Sequence, residues 1–273
     1  MKMDTISFSR QIRKNVLQMV YQAKASHIGS CFSIVDIVAV LYGTTLNLSV
    51  NHPAWPSRDR FILSKGHAAA AIYAALALKG FFPLEELQLY GNDGSRLMAH
   101  ISHKVPGVEF STGSLGHGLP FATGKALSAK KQAVNWRVFV LMSDGEMDEG
   151  SNWEAFMFAA HHRLDHLVAI IDYNKIQSLT TVAKTLGIEP LAEKLRAFGW
   201  SVREVNGHDH DQLHLVLSTT PWEEGKPCVL IAHTTKGKGV SFMENKVEWH
   251  YKSPTHEQRL LAELEIDKEI ENA

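Results

Sequence analysis

Cysteine is nearly absent. Cys31 and Cys228 are the only two among 273 residues, and neither belongs to a CxxC pair, so no metal or redox motif of that kind is available. Net charge is equally scarce, with 28 Lys and Arg against 29 Asp and Glu, which leaves no basic field to hold nucleic acid or an anionic membrane. No apolar run approaches the roughly 18 residues that would span a bilayer, and mean hydropathy is −0.12. The opening MKMDTISFSRQIRK lacks the apolar core and small-residue cleavage site of a secretory signal. No repeat, low-complexity tract or Pro/Gly/Ser-rich linker divides the chain. The expectation is a soluble, cytoplasmic protein built as one large α/β domain. What the sequence has in excess is histidine, 15 in all.

Periodicity supplies the elements. Residues 7 to 25 place Ile12, Val16, Met19, Val20 and Ala23 on one helical face and Arg13, Lys14 and Gln18 on the other. A Gly-containing break at Ser26–Ser30 precedes a second helical run from Ile34 to Tyr42, and Asn51–Arg60 reads as a loop. Phe61–Leu63 is a short buried strand and Ala68–Lys79 an Ala-rich helix. Two continuous apolar runs, Arg137–Met142 and Leu167–Ile171, flank a helical stretch from Ser151 to Arg163. Strand, helix, strand in this compass is a βαβ unit with a parallel sheet. Val202–Val205 and Cys228–Ala232 add strands, Asp211–Ser218 a helix, and Thr255–Glu271 a last amphipathic helix carrying Leu260, Leu261 and Leu264. A doubly wound, mainly parallel sheet with helices on both faces accounts for this order.

Ligands of open α/β sheets sit beyond the carboxyl ends of the strands. Ser143-Asp144-Gly145-Glu146 follows one strand directly, and Asp172-Tyr173-Asn174 follows the next. On neighbouring strands Asp144 and Asn174 converge, and a carboxylate with an amide oxygen suits Mg²⁺ or Ca²⁺ shared with a phosphate. Gly145 lets the backbone approach that phosphate. Taken alone, Asp-Gly is an ordinary strand-end turn, and an EF-hand fails because Glu146 stands where Asp or Asn is required. No G-x-x-x-x-G-K-[ST] or G-x-G-x-x-G follows a strand, which weakens nucleotide-hydrolase and dehydrogenase readings.

The segment from Ser143 to Ile176 resembles the thiamine-diphosphate motif running from Gly-Asp-Gly to a later Asn, with Ser143 in place of the first glycine. With Glu149-Gly150 following, it resembles the transketolase family more narrowly. Further blocks resemble that family in order: Ala25–Gly29, with Ile28 replacing a proline; Arg58–His67; Ser95–His100; Pro106–Gly118, with Ser114 and His117 as substitutions; and Lys236–Val240 followed by Trp249-His250, with Tyr251 where glycine is common. The match runs from about residue 10 to residue 256. It implies a single thiamine-diphosphate domain of the diphosphate-binding (PP) type over 1–273, with a helical tail from about residue 253. By the resemblance Asp144, the Asn174 side chain and the Ile176 carbonyl hold Mg²⁺ (or Ca²⁺ or Mn²⁺). Gly145, His67, Gly113, Ser114, Leu115, Glu149, Asn174 and His250 bind the cofactor. Of the catalytic histidines the resemblance implies, His100 contacts the donor's hydroxyls, and His27 and His250 the reacting oxygens.

The implied reaction transfers a two-carbon ketol unit from a ketose phosphate to an aldose phosphate, and the cofactor carries the hard chemistry. In the family, the glutamate that activates the cofactor lies on a second, pyrimidine-binding domain. The sequence is therefore expected to be the N-terminal half of a split transketolase, paired with a separate C-terminal subunit in an α2β2 assembly. Half of a deoxyxylulose-phosphate synthase or 2-oxo acid dehydrogenase, and a non-catalytic subunit of the same fold, are the alternatives. Outside the matching blocks, His162 and His166 lack the glutamate of HExxH, and His208, His210 and His214 read as an exposed loop running into a helix rather than a zinc site. Lys236-Gly-Lys-Gly reads either as a phosphate grip or as a mobile surface loop.

Overall fold

A computed structural model describes residues 4–268. Helices α1 (Thr5–Ala23), α2 (Ile28–Val40) and α3 (Ala69–Lys79) bracket strand β1 (Arg60–Leu63) in sequence. Helix α4 (Gly118–Lys131) leads to β2 (Val138–Ser143), α5 (Gly150–His161) to β3 (Leu167–Tyr173), and the short α6 (Val182–Thr185) and α7 (Leu191–Ala197) to β4 (Ser201–Asn206). Helix α8 (His210–Ser218), β5 (Cys228–His233) and α9 (His256–Lys268) complete the order. The five strands form one parallel sheet in the order β1-β2-β3-β5-β4.

Strands β2 and β3 are apolar up to Met142 and Ile171 because both their faces are covered. Phe139, Leu141, Val168 and Ile170 point to a core shared with α1, α2, α3 and α8. Val138, Val140, Met142, Ala169 and Ile171 point to a second core shared with α4, α5 and α7. The doubly wound architecture expected from the sequence is the one observed. Register pairs Ser143 with Asp172, so both strands deliver their polar C-terminal residues to one rim.

Several sequence expectations change. Helix α2 starts at Ile28 rather than Ile34 and includes Gly29 and Ser30, where the sequence suggested a break. A Cβ on Gly29 would come within 3.2 Å of the Trp249 carbonyl oxygen, so this glycine permits a close approach inside a helix. With the π-helical turn that follows it, the span Ile28–Thr45 has the length and apolarity of a membrane span, against the expectation that no run comes near. It is 89% buried and forms the core helix of the domain.

Helix α4 escaped notice because Gly118, Pro120 and Gly124 interrupt its pattern. On α9 the buried residues are Ala262 and Ile266, while Leu260, Leu261 and Leu264 are exposed. The part of that helix expected beyond residue 268 lies outside the described residues.

A further change concerns Arg13, placed by periodicity on the polar face of α1. It is buried, and its guanidinium donates to Asp36 of α2 at 2.6 Å. His208 Nδ1 and His210 Nε2 meet the same carboxylate at 2.7 and 3.1 Å, so neither histidine belongs to an exposed loop. Burial alone would raise the Asp36 pKa, but the Arg13 charge and the imidazole hydrogen bonds hold it well below the usual carboxylate range.

Removing one member of such a buried pair leaves an uncompensated charge. Arg13→Met is expected to lower the unfolding free energy by about 3–5 kcal/mol, read from urea denaturation. A change within about 0.5 kcal/mol, the range of ordinary surface substitutions, would contradict the assignment.

Candidate active site

The carboxyl ends of β1, β2, β3 and β5 open onto one rim of the sheet. After β1, Lys65 turns inward and its ammonium meets the Asp172 carboxylate of β3; the two side chains are 1% and 0% exposed. Asp172 also accepts hydrogen bonds from Ser33 of α2, from Thr234 after β5 and from the Asn174 amide. The Lys65 charge and these donors keep Asp172 below the ordinary carboxylate range despite complete burial, which would raise it.

Asp144, one residue past β2, is satisfied differently. Among the described residues its carboxylate accepts only the backbone N–H groups of Gly145 and Lys175. Burial and the neighbouring Asp172 charge push its pKa up to about 7. Asn174 donates to Asp172 and Ser33 through Nδ2, while its Oδ1 accepts the Ile176 N–H at 3.0 Å. The Ile176 and Gln177 carbonyls both accept from the Lys236 ammonium at 3.1 Å. A buried carboxylate short of positive charge, an amide oxygen and a carbonyl already turned to a cation form an all-oxygen set that suits a hard divalent ion. Among the described residues, no group of three or more His, Cys, Asp or Glu gathers as a metal site, so any ion here would rely on amide and carbonyl oxygens beside Asp144.

The four histidines of the matching blocks come together beside this set. His27 lies with its ring centroid 5.1 Å from His67, 5.6 Å from His100 and 5.0 Å from His250, and His67 lies 5.5 Å from His250. His27 occupies the left-handed region at φ 76° and donates its N–H to the His250 carbonyl at 2.7 Å. That conformation in a non-glycine residue is held by its surroundings. Burial, followed by the charges of His100, Lys236 and Lys65, lowers the His27 pKa to about 4. Burial and Lys236 lower His250 to about 3. His67 is held well below the usual imidazole range by burial and by Lys65.

The cavity next to Asp144 is lined by His67, Leu115, Gly145, Asn174, Ile176 and His250, all expected from the sequence. It is also lined by Ser30, Lys65 and Gln177, to which no role was given. Their signal was faint: a serine at the edge of the Gly-containing Ser26–Ser30 segment, and a lysine inside a matching block. Lys236 lines it too, with 1% exposure, so the KGKG segment is no mobile loop at this position. His100, Gly113 and Ser114 line a separate cavity of about 360 Å³ with Phe110 and His117. Glu149 reaches neither cavity; it is exposed at the start of α5, with its Cβ against Gly116.

Comparison with known proteins settles the lineage. The family described as "Transketolase, thiamine diphosphate binding domain" matches residues 5–262. The chain belongs to this family. It is 40% identical over 272 residues to an apulose-4-phosphate transketolase subunit of Phocaeicola vulgatus, covering 99% of this chain and 97% of the relative. It is likewise 40% identical over 259 residues to the 6-deoxy-6-sulfo-D-fructose transketolase subunit SqwG of a Clostridium species, covering 94% of each. Among solved structures, the transketolase of Campylobacter jejuni superposes with a TM-score of 0.90 at 29% identity, covering 98% of this chain and 43% of that one. The chain thus spans less than half the length of this solved transketolase. The transketolase-family fold and its thiamine-diphosphate-binding domain are therefore those of this protein.

The depressed histidine pKa values carry a stability consequence. A folded-state pKa near 4 for His27, below the ordinary 6.5, means the unfolded chain takes up the proton first as pH falls. Stability is complete above about pH 6.5 and declines toward pH 4. Asn, which tolerates positive φ, should replace His27 without unfolding the chain. His27→Asn is expected to flatten the decline of Tm between pH 6.5 and 4; identical slopes for the two proteins would contradict the burial argument.

Proposed function

We propose that this chain is the thiamine-diphosphate-binding subunit of a two-chain transketolase, transferring a two-carbon ketol unit from a ketose phosphate to an aldose phosphate. The observation that carries this reading is the convergence of His27, His67, His100 and His250 beside Asp144, Asn174 and Lys236. Burial keeps His27, His67 and His250 neutral, and a neutral imidazole can donate with one ring nitrogen and accept with the other, as binding hydroxyls and moving protons between sugar oxygens requires. Pairing with a second, pyrimidine-domain subunit in an α2β2 assembly is supported by relatives named as subunits and matched over 94% to 97% of their length.

Within that reading, Asp144, the Asn174 Oδ1 and the Ile176 carbonyl hold Mg²⁺, with Ca²⁺ or Mn²⁺ as substitutes. The bound cofactor supplies the electron sink for breaking and forming the carbon–carbon bond. Gly145, His67 and Lys236 face its diphosphate; a Cβ on Gly145 would come within 2.8 Å of Gln177 Cγ, so the glycine lets the Gln177 side chain pack against this turn. Leu115 presents an apolar face to the cofactor ring. His27, His100 and His250 take the substrate oxygens, and Gly113 and Ser114 border the neighbouring cavity with His100. Glu149, exposed at the head of α5, is free to meet the second subunit rather than the cofactor of its own chain.

The purified chain is expected to show no ketol transfer alone, and to show it once the pyrimidine-domain subunit, thiamine diphosphate and Mg²⁺ are added. Full transfer by the chain alone would overturn the two-subunit reading. Asp144→Ala should reduce activity of the assembled enzyme at least 100-fold while the Tm of the metal-free chain falls by no more than a few degrees. Activity near that of the parent at saturating Mg²⁺ would remove Asp144 from the metal site.

A further inference from the structure

The clamp between α1 and α2 reaches the cofactor cavity through His208. Its Nε2 lies 2.8 Å from the Thr235 backbone nitrogen and accepts that N–H. The ring hydrogen is therefore on Nδ1, where it faces Asp36 Oδ2 at 2.7 Å. One imidazole thus spans from a fully buried carboxylate to the residue immediately before Lys236. Asp36 is fixed from its other sides by Arg13 and by His210, whose Nδ1 meets the Thr5 hydroxyl at 2.8 Å.

Other bonds hold the strap that Thr235 opens, residues 235–238 after β5. Gly237, at φ 82°, donates to the Gly29 carbonyl at 3.0 Å, and the Lys238 carbonyl accepts from Arg13 Nε at 3.3 Å. Gly207, next to His208, donates to the His233 carbonyl at 2.8 Å, and a Cβ there would lie 2.4 Å from Thr234 Cγ2. Only glycine lets the end of β4 close onto this strap. On the far side, the Lys236 ammonium reaches His250 Nδ1 at 3.0 Å and the carbonyls of Ile176 and Gln177 at 3.1 Å.

We infer that His208 is a positioning residue for cofactor binding, setting the strap so that the Lys236 ammonium stands in the diphosphate end of the cavity. The inference rests on the reading above that Lys236 faces the diphosphate. His208 touches neither cofactor nor substrate; it acts through Thr235 and Lys236. Leucine at 208 would leave the Thr235 N–H and one acceptor site on Asp36 unmet, a loss that falls on the ordering of the strap. Glutamine carries both a donor group and an acceptor group on its amide and can serve both partners.

The test is isothermal titration of thiamine diphosphate, with Mg²⁺, into the assembled two-subunit enzyme, alongside steady-state kinetics at saturating cofactor. His208→Leu is expected to raise the Kd about tenfold, the scale of one lost net hydrogen bond, with kcat at saturation within about twofold. His208→Gln should recover most of that affinity. Val216→Ala, a truncation in the core beneath α8, should lower Tm without moving the Kd, which separates positioning from general loosening. If His208→Leu does not assemble, His208→Asn, whose shorter amide reaches one partner only, replaces it with the same expected rise. Unchanged Kd in the 208 variant, or a Kd rise in Val216→Ala that matches it, would overturn the inference. Lys236→Met distinguishes the two levels. Unchanged affinity in that variant would sink the diphosphate role of Lys236 itself, whereas weakened binding there with unchanged His208→Leu sinks only the positioning role.

Discussion

A carboxylate taken out of water must be paired, and the buried Asp172 satisfies that demand by recruiting partners from much of the fold. Lys65 comes from the end of β1, Ser33 from α2, Thr234 from the turn after β5, and Asn174 from its own strand end. Each bond offsets part of the desolvation of one anion, and together they draw the strand ends, α2 and the strap into a single rim. The Lys65 cation is consumed in this way. Asp144, on the neighbouring strand, is left with backbone donors, and the deficit of positive charge around it follows from how Asp172 is satisfied.

The imidazole centre obeys a different balance. Two lysines, Lys65 and Lys236, stand near four histidines in a poorly solvated space, and each added positive charge would repel the others. Burial and that repulsion keep His27, His67 and His250 in the neutral form. A neutral ring retains an acceptor as well as a donor, and this is the state in which a hydroxyl can be both held and deprotonated. Lys236 joins the two regions: its ammonium touches His250 on one side and the Ile176 and Gln177 carbonyls on the other. The strap that carries it is anchored from outside the cavity, so the shape of the site depends on contacts as distant as α1.

The sheet was legible because β2 and β3 are covered on both faces and must be apolar along their length, a pattern with no other economical use. The histidines of the centre were legible as parts of ordered blocks. Arg13 was misplaced because helical periodicity reports which face a residue occupies, not whether a buried carboxylate waits opposite it. His208 and His210 looked like a solvated run for the same reason: Asp36 lies more than 170 positions away in sequence. On α9 Leu260, Leu261 and Leu264 face outward while Ala262 and Ile266 are buried, an arrangement set by the geometry of docking rather than by hydropathy.

By itself the sequence determined most of the elements that form, that strands would be parallel, and which residue types would meet at the ends of β2 and β3, because local periodicity and strand order carry that information. The tertiary structure alone decided which charges neutralise one another. It assigned Lys65 to Asp172 and Arg13 to Asp36, left Asp144 to backbone donors, and set His208 between a buried anion and the strap of Lys236. Pairing energies depend on distance and desolvation, quantities that arise only when remote segments pack.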